Sequence, residues 1–306
     1  MTTTSSAPGA AGSPRFQAAA LAPLAAVLLW TGNTIVTKAA SAVIAPASIA
    51  LYRWVLAFLI LTPFVGRAAW QHRAIIRQHL PKLAVLGSLG MATYQSLAYE
   101  AARTTTAVNM GAIVACMPLL SALLASALAG EALSTRKLLG TLVSLAGLLV
   151  LTTHGQPLAL LQGAVQVGDL WMLVAVASNA FYGVLLKRWN LPLSTWQQLY
   201  AQIAMGVLCL LPFWLGSDVS PITAANAPLV LYAGIPASIG APFFWMTGIK
   251  FWGAARATMA MNLLPVLVAL AAWLLLGEQL HLYHAVGGLV ALAGVALGLS
   301  QPATRR

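Results

Sequence analysis

The sequence predicts an all-α polytopic membrane protein of ten transmembrane helices in a 5+5 inverted repeat, both termini cytoplasmic. Three observations predict it. The 306 residues are 60% hydrophobic and 7% charged, with a mean hydropathy of +0.86, whereas a soluble domain carries roughly 25% charged residues. Ten long apolar runs follow a polar tail. The second half of the chain also repeats the first at an offset of 146 or 147 residues.

So few charges cannot cover a water-exposed surface of this size. That excludes a soluble enzyme and a nucleic-acid-binding protein, despite a net charge of +11 and an isoelectric point near 10.3. Residues 1–17 are rich in Ser, Thr, Pro, Gly and Ala and read as a disordered tail. The apolar runs then cover 20–42, 48–66, 80–101, 105–129, 134–153, 167–190, 194–215, 226–248, 253–276 and 282–301. A spanning helix needs roughly 20 apolar residues. These runs have that length and lack the period-2 alternation of barrel strands. Residues 302–306 form a short cytoplasmic tail. Cys116 and Cys209 lie inside apolar runs and read as small hydrophobes.

Orientation follows from Lys and Arg, which favour the cytoplasmic side. With the N-terminus inside, 13 of the 16 basic residues fall inside: Arg15, Arg67, Arg73, Arg77, Lys82, Arg136, Lys137, Lys187, Arg188, Lys250, Arg256, Arg305 and Arg306. Arg103 falls outside, and Lys38 and Arg53 lie within helices. The surplus therefore orients the chain and favours contact with an anionic inner leaflet.

The repeat aligns Pro118, Gly130, Glu131, Gly140 and Gly147 with Pro265, Gly277, Glu278, Gly287 and Gly294. It also aligns Asn33 and Pro46 with Asn179 and Pro192. The two repeats are 18–153 and 166–301. Five helices per repeat is an odd number, so the second copy enters the membrane inverted. Inverted repeats that rock about an in-plane axis are a transporter architecture.

Ten helices in this arrangement, each half ending in Pro-Leu/Val, then Gly-Glu, then two glycines, resemble the drug/metabolite transporter superfamily in its EamA-type branch. Within that branch the general similarity is to bacterial aromatic amino acid exporters of the YddG type. The resemblance covers residues 20–300. It implies a central cavity lined by helices 1, 3, 4, 6, 8 and 9, with helices 5 and 10 at the periphery. It also implies export of amino acids, metabolites or drugs across the bacterial inner membrane.

Polar groups inside spans cost free energy to bury and are the candidate substrate residues. Helix 1 offers Trp30, Asn33, Thr37 and Lys38 on one face, and helix 6 offers Ser178, Asn179 and Tyr182. Helix 3 offers Tyr94, Gln95 and Tyr99, helix 8 Trp245, and helix 9 Thr258 and Asn262. Together they suit an uncharged or zwitterionic small molecule with an apolar body. Taken singly, each Asn or Tyr reads first as an interhelical hydrogen bond. Lys38 either snorkels to the outer surface or, with Arg53, meets a substrate carboxylate. Of the ten tryptophans, Trp30, Trp171 and Trp245 are cavity candidates; the others, Trp54 among them, read as boundary residues.

Pro118, Pro265 and Pro242, with Pro236, read as mid-helix breaks that serve as kinks, hinges or gates. Glu131 and Glu278 read as caps at the start of the next helix, or as gates. Small residues at Gly140, Ser144, Gly147, Gly287, Ala291, Gly294 and Gly298 fit either packing of helix 5 on helix 10 or a homodimer contact. No span centre holds a carboxylate, so obligatory proton coupling is not expected. No catalytic residue, metal set, phosphate loop or other cofactor motif is present. A channel-like pore, or a carrier of a sugar-linked or purine compound, is the alternative function.

Overall fold

The computed structural model describes residues 21–129, 135–156, 166–252 and 260–299. Each of the ten apolar runs holds helix. The first half comprises α1 (Ala22–Ala40), α2 (Pro46–Gln71), the short α3 (Arg73–Gln78), α4 (Leu80–Gly87), α5 (Tyr94–Ala101), α6 (Ala107–Val114), α7 (Met117–Ala129) and α8 (Thr135–Thr152). The second comprises α9 (Val167–Trp189), α10 (Thr195–Leu215), α11 (Ala227–Tyr232), α12 (Ala241–Trp252), α13 (Leu264–Leu276) and α14 (Leu282–Leu299). No strand occurs among the described residues. Five helical stretches, 46–71, 107–128, 167–189, 195–215 and 227–248, are long and apolar enough to cross a membrane, and three shorter apolar helices accompany them.

Local chemistry sets the helix ends. The Thr106 hydroxyl caps α6 by accepting from Asn109 N. Ser194 and Gln197 form a reciprocal capping box on α10. Gly277 ends α13 at φ +68, a left-handed conformation that suits glycine.

Two runs are not continuous α-helix. Ser88–Thr93 joins α4 to α5 as a π-helical segment, and Ala233–Gly240 joins α11 to α12 in the same way. Pro236 lies inside the second segment. Two prolines depart from the mid-helix expectation: Pro118 and Pro265 are each the second residue of a helix, α7 and α13, after a turn at Ala115–Cys116 and a 3-10 turn at Met261–Leu263. Pro242 follows the π segment directly and lies inside the helical stretch 227–248.

Helix packing is unchanged by exchanging the halves. α1 packs on α12 and α13, and its counterpart α9 packs on α5 and α7. α2 packs on its counterpart α10, α6 on α13, and α8 on α14. The α8–α14 seam is the tightest. A Cβ on Gly147 would lie 2.3 Å from Ala291 N, one on Gly294 2.3 Å from Ser144 N, and one on Gly140 2.5 Å from Gly298 Cα. The small residues thus serve contact of α8 with α14 within the chain, and they are covered there. Outward-facing positions are apolar: Phe64, Phe213, Leu275 and Leu282 are 72–81% exposed, as a lipid-facing surface requires.

The seam gives a paired test. Gly147→Ala drives a methyl into backbone and destabilises by about 1–3 kcal/mol. Gly288→Ala, on the partner helix α14 with nothing within 4 Å of the new Cβ, is neutral or stabilising by up to about 1 kcal/mol. Thermal unfolding in detergent distinguishes the two.

Candidate substrate site

Among the described residues one basic side chain is fully buried. Arg53, on α2, is 2% exposed. Its Nη1 donates to Gln95 Oε1 (2.8 Å) and to the Tyr99 hydroxyl (3.0 Å). Its Nη2 and Nε donate to Ser238 Oγ at 2.9 and 3.2 Å. The guanidinium also lies over the rings of Trp54 (5.1 Å) and Tyr99 (5.9 Å). All of these partners are neutral. Among the described residues no carboxylate lies within ion-pair distance of it.

The two π segments position these partners. Gln95 and Tyr99 follow the first, and Ser238 lies in the second. Ser238 Oγ donates to Ala233 O (2.8 Å) while it accepts from Arg53. Next to Arg53, Trp54 Nε1 donates to Met91 O inside the first π segment (2.9 Å). Trp54 is therefore a buried anchor, 5% exposed, and not a boundary residue. Tyr94 stands within electrostatic reach of Arg53. It packs against the same apolar cluster as Trp30, and Trp30 meets Trp245 with ring centroids 5.5 Å apart. Aromatic walls from α1 and α12 thus share the bundle interior with the guanidinium network.

The other expected residues take different positions. The Asn33 Oδ1 and Thr31 Oγ1 atoms of α1 are buried without a partner, whereas Thr37 bonds back to Asn33 O. Ser178 donates to Leu89 O (3.1 Å), Asn179 contacts Met117 Sδ (3.3 Å), and Tyr182 donates to Gln202 Oε1 (2.9 Å). These make α9 a helix tied to its neighbours. Trp171 is 41% exposed and faces outward. Asn262 lies on the 3-10 turn, but its side chain, together with Thr258, Gly130 and Glu131, falls outside the described residues.

Lys38 neither snorkels nor stands free. Its Nζ donates to Ala102 O and Thr105 O, both at 2.7 Å, so it satisfies carbonyls left open past the end of α5. Glu278 caps a helix other than the one expected. Its carboxylate accepts from Ala107 N (2.8 Å) and Val108 N (3.2 Å) at the start of α6, across the two halves. Thr105 Oγ1 donates to Asp169 Oδ1 on α9. One short stretch, 102–109, is therefore held by side chains from three other parts of the chain. Sequence spacing gives no signal of these contacts, which join residues 60 to 171 positions apart.

Comparisons with known proteins agree with this architecture. A solved crystal structure superposes with a TM-score of 0.58 at 22% identity, covering 92% of this chain and 96% of the other, which establishes the fold. An uncharacterized transporter, YyaM, of Bacillus subtilis is 25% identical over 87% of this chain and 89% of its own length. An uncharacterized transporter of Archaeoglobus fulgidus is 27% identical over 89% and 93%. A probable terminal-alkyne amino-acid exporter of Streptantibioticus cattleyicolor is 26% identical over 71% and 72%. The model of the EamA-like transporter family matches residues 17–153 and again 166–300. The chain belongs to the EamA-like transporter family and is a multi-pass membrane transporter.

Proposed function

We infer that this transporter exports aromatic and other neutral amino acids, and related amphipathic metabolites, across the bacterial inner membrane. It does so by alternating access between two inverted five-helix repeats of ten spans, with both termini inside and without obligatory proton coupling. One observation carries the substrate reading. Arg53 is a buried cation that no carboxylate among the described residues neutralises, and a charge kept at that cost in a membrane interior marks a ligand pathway. A substrate carboxylate supplies the missing charge, and Trp30 and Trp245 offer the apolar body two ring faces. The amino-acid exporter among the relatives supports the same class. The contacts at residues 102–109 fit a state closed at the end that the Lys and Arg distribution assigns to the outside.

Two experiments test this reading. Counterflow in proteoliposomes is expected to saturate and to be competed by tryptophan and phenylalanine; unitary currents would instead indicate a pore. Trp30→Ala and Trp245→Ala each raise the half-saturation concentration about tenfold, given about 1.5 kcal/mol for an aromatic contact. The second experiment addresses the closed end. Glu278→Gln weakens the cap on α6 by about 0.3–1 kcal/mol. In a chain whose native cysteines are replaced by Ala, a cysteine at Val108 is then labelled about two- to fivefold faster by a membrane-impermeant thiol reagent.

A further inference from the structure

We propose that Asp169 is a proton-binding site, occupied when the outer end is closed. Asp169 lies in the first turn of α9 and is 2% exposed. Its Oδ1 accepts from the Thr105 hydroxyl and from Asn109 Nδ2, the latter at 3.2 Å. Two acceptors in this same pair of residues have no partner: Asp169 Oδ2 and Asn109 Oδ1. Both atoms are buried, and Asn109 as a whole is 3% exposed. An ionised carboxylate leaves both atoms bare and adds an unneutralised charge, at a cost well above that of any single hydrogen bond.

One proton resolves both deficits. With an O–H bond on Oδ2, Asp169 donates to Asn109 Oδ1 while Asn109 Nδ2 donates to Asp169 Oδ1. The two side chains then close a reciprocal acid–amide pair, and the site is electrically neutral.

Among the described residues no cation forms an ion pair with it; His154 and the Gln166 backbone favour the ionised form only against the larger effect of burial. Lys38, from α1, spends its ammonium on the Ala102 and Thr105 carbonyls. Glu278 holds the Ala107 and Val108 amides. Arg103 pairs with Glu100, and both are exposed. His154, after α8, acts on Asp169 electrostatically and packs edge-on to Tyr283. His281 and His284 stack around the same tyrosine. The start of α9 lies hard against residues 101–105, where a Cβ on Gly168 would lie 2.4 Å from Ala101 O.

The consequence rests on the transport reading above. Opening the outer end parts α9 from residues 101–109, hydrates Asp169 and releases its proton to the outer phase. Closing recovers a proton from that same phase. The proton never crosses the membrane, so it gates the outer end without driving export. Acidity outside holds that end shut, with the closed-to-open ratio rising by up to about tenfold per pH unit for one linked proton.

Infrared spectroscopy of the purified full-length protein tests the site without any transport assay. A protonated-carboxyl C=O band is expected at neutral pH, absent in Asp169→Asn and shifted in Asn109→Leu. A spectrum in which Asp169→Asn removes only carboxylate bands overturns the proposal. The coupling is read by impermeant-thiol labelling of a cysteine at Val108 in oriented proteoliposomes. Labelling, divided at each pH by the rate of the same cysteine in the denatured protein so that the thiolate fraction cancels, is expected to fall with outer acidification in the native background, to be flat in Asp169→Asn, and to ignore inner pH. A response to outer pH that survives in Asp169→Asn, or one that follows inner pH, overturns the gating.

Discussion

A guanidinium buried in a helical bundle must have its donors met from inside the protein, because neither lipid nor bulk water can meet them. That requirement organises the centre of this transporter. Arg53 reaches from α2 to side chains on both helices that contain π segments, Gln95 and Tyr99 on one and Ser238 on the other. Trp54, one residue on, fastens the same helix to Met91 O. A π turn shifts the register of the residues beyond it, and such turns collect at functional sites. Here they fall in corresponding runs of the two halves, third and eighth, and both face the same arginine. The cost of the charge is met by geometry alone, since no anion of the described chain shares the space.

Around that centre the helices meet through two kinds of contact. The α8–α14 seam is backbone against backbone, with glycines where no side chain fits. Such contact is gained through close approach and cannot slide without losing it. The contacts at residues 102–109 differ in kind. Lys38, Glu278 and Asp169 hold backbone amides, carbonyls and a hydroxyl, and water can replace every one of these partners. The two kinds suit the alternating access proposed above, in which the seam stays fixed and the other end exchanges its bonds with solvent. Pro118 and Pro265 suit the same division, because each starts a helix after a break and leaves the break itself free to adjust.

Much of the fold was legible because hydropathy is a local property. Ten apolar runs gave ten helical regions, and the glycine spacing in α8 and α14 marked their common face. Trp30 and Trp245 stood out in the sequence as aromatics inside apolar runs, and the two rings meet in the fold. What sequence could not give was direction at long range. Lys38 was weighed between snorkelling and substrate, yet it closes the end of α5. Glu278 was read as a cap on the helix that follows it, yet it caps α6 from the other half. Asp169 lies near a span end in the sequence, and only the packing of α9 against residues 101–109 buries it. Arg53 stood out as a charge in a span, but its neutral surroundings emerge only when residues 42 and 185 positions away are brought to it.

The central claim is that the Arg53 site is completed by a ligand carboxylate. Its most direct measurement compares the binding of phenylalanine with that of its amino alcohol, which lacks the carboxylate, to the native protein and to Arg53→Met. Replacing a buried charge by an apolar side chain of similar size is often neutral or stabilising, so the unfolding temperature of Arg53→Met reports that the variant is intact. The account predicts that the native protein prefers the amino acid by at least about tenfold and that Arg53→Met binds the two alike. Equal discrimination by an intact Arg53→Met would contradict it.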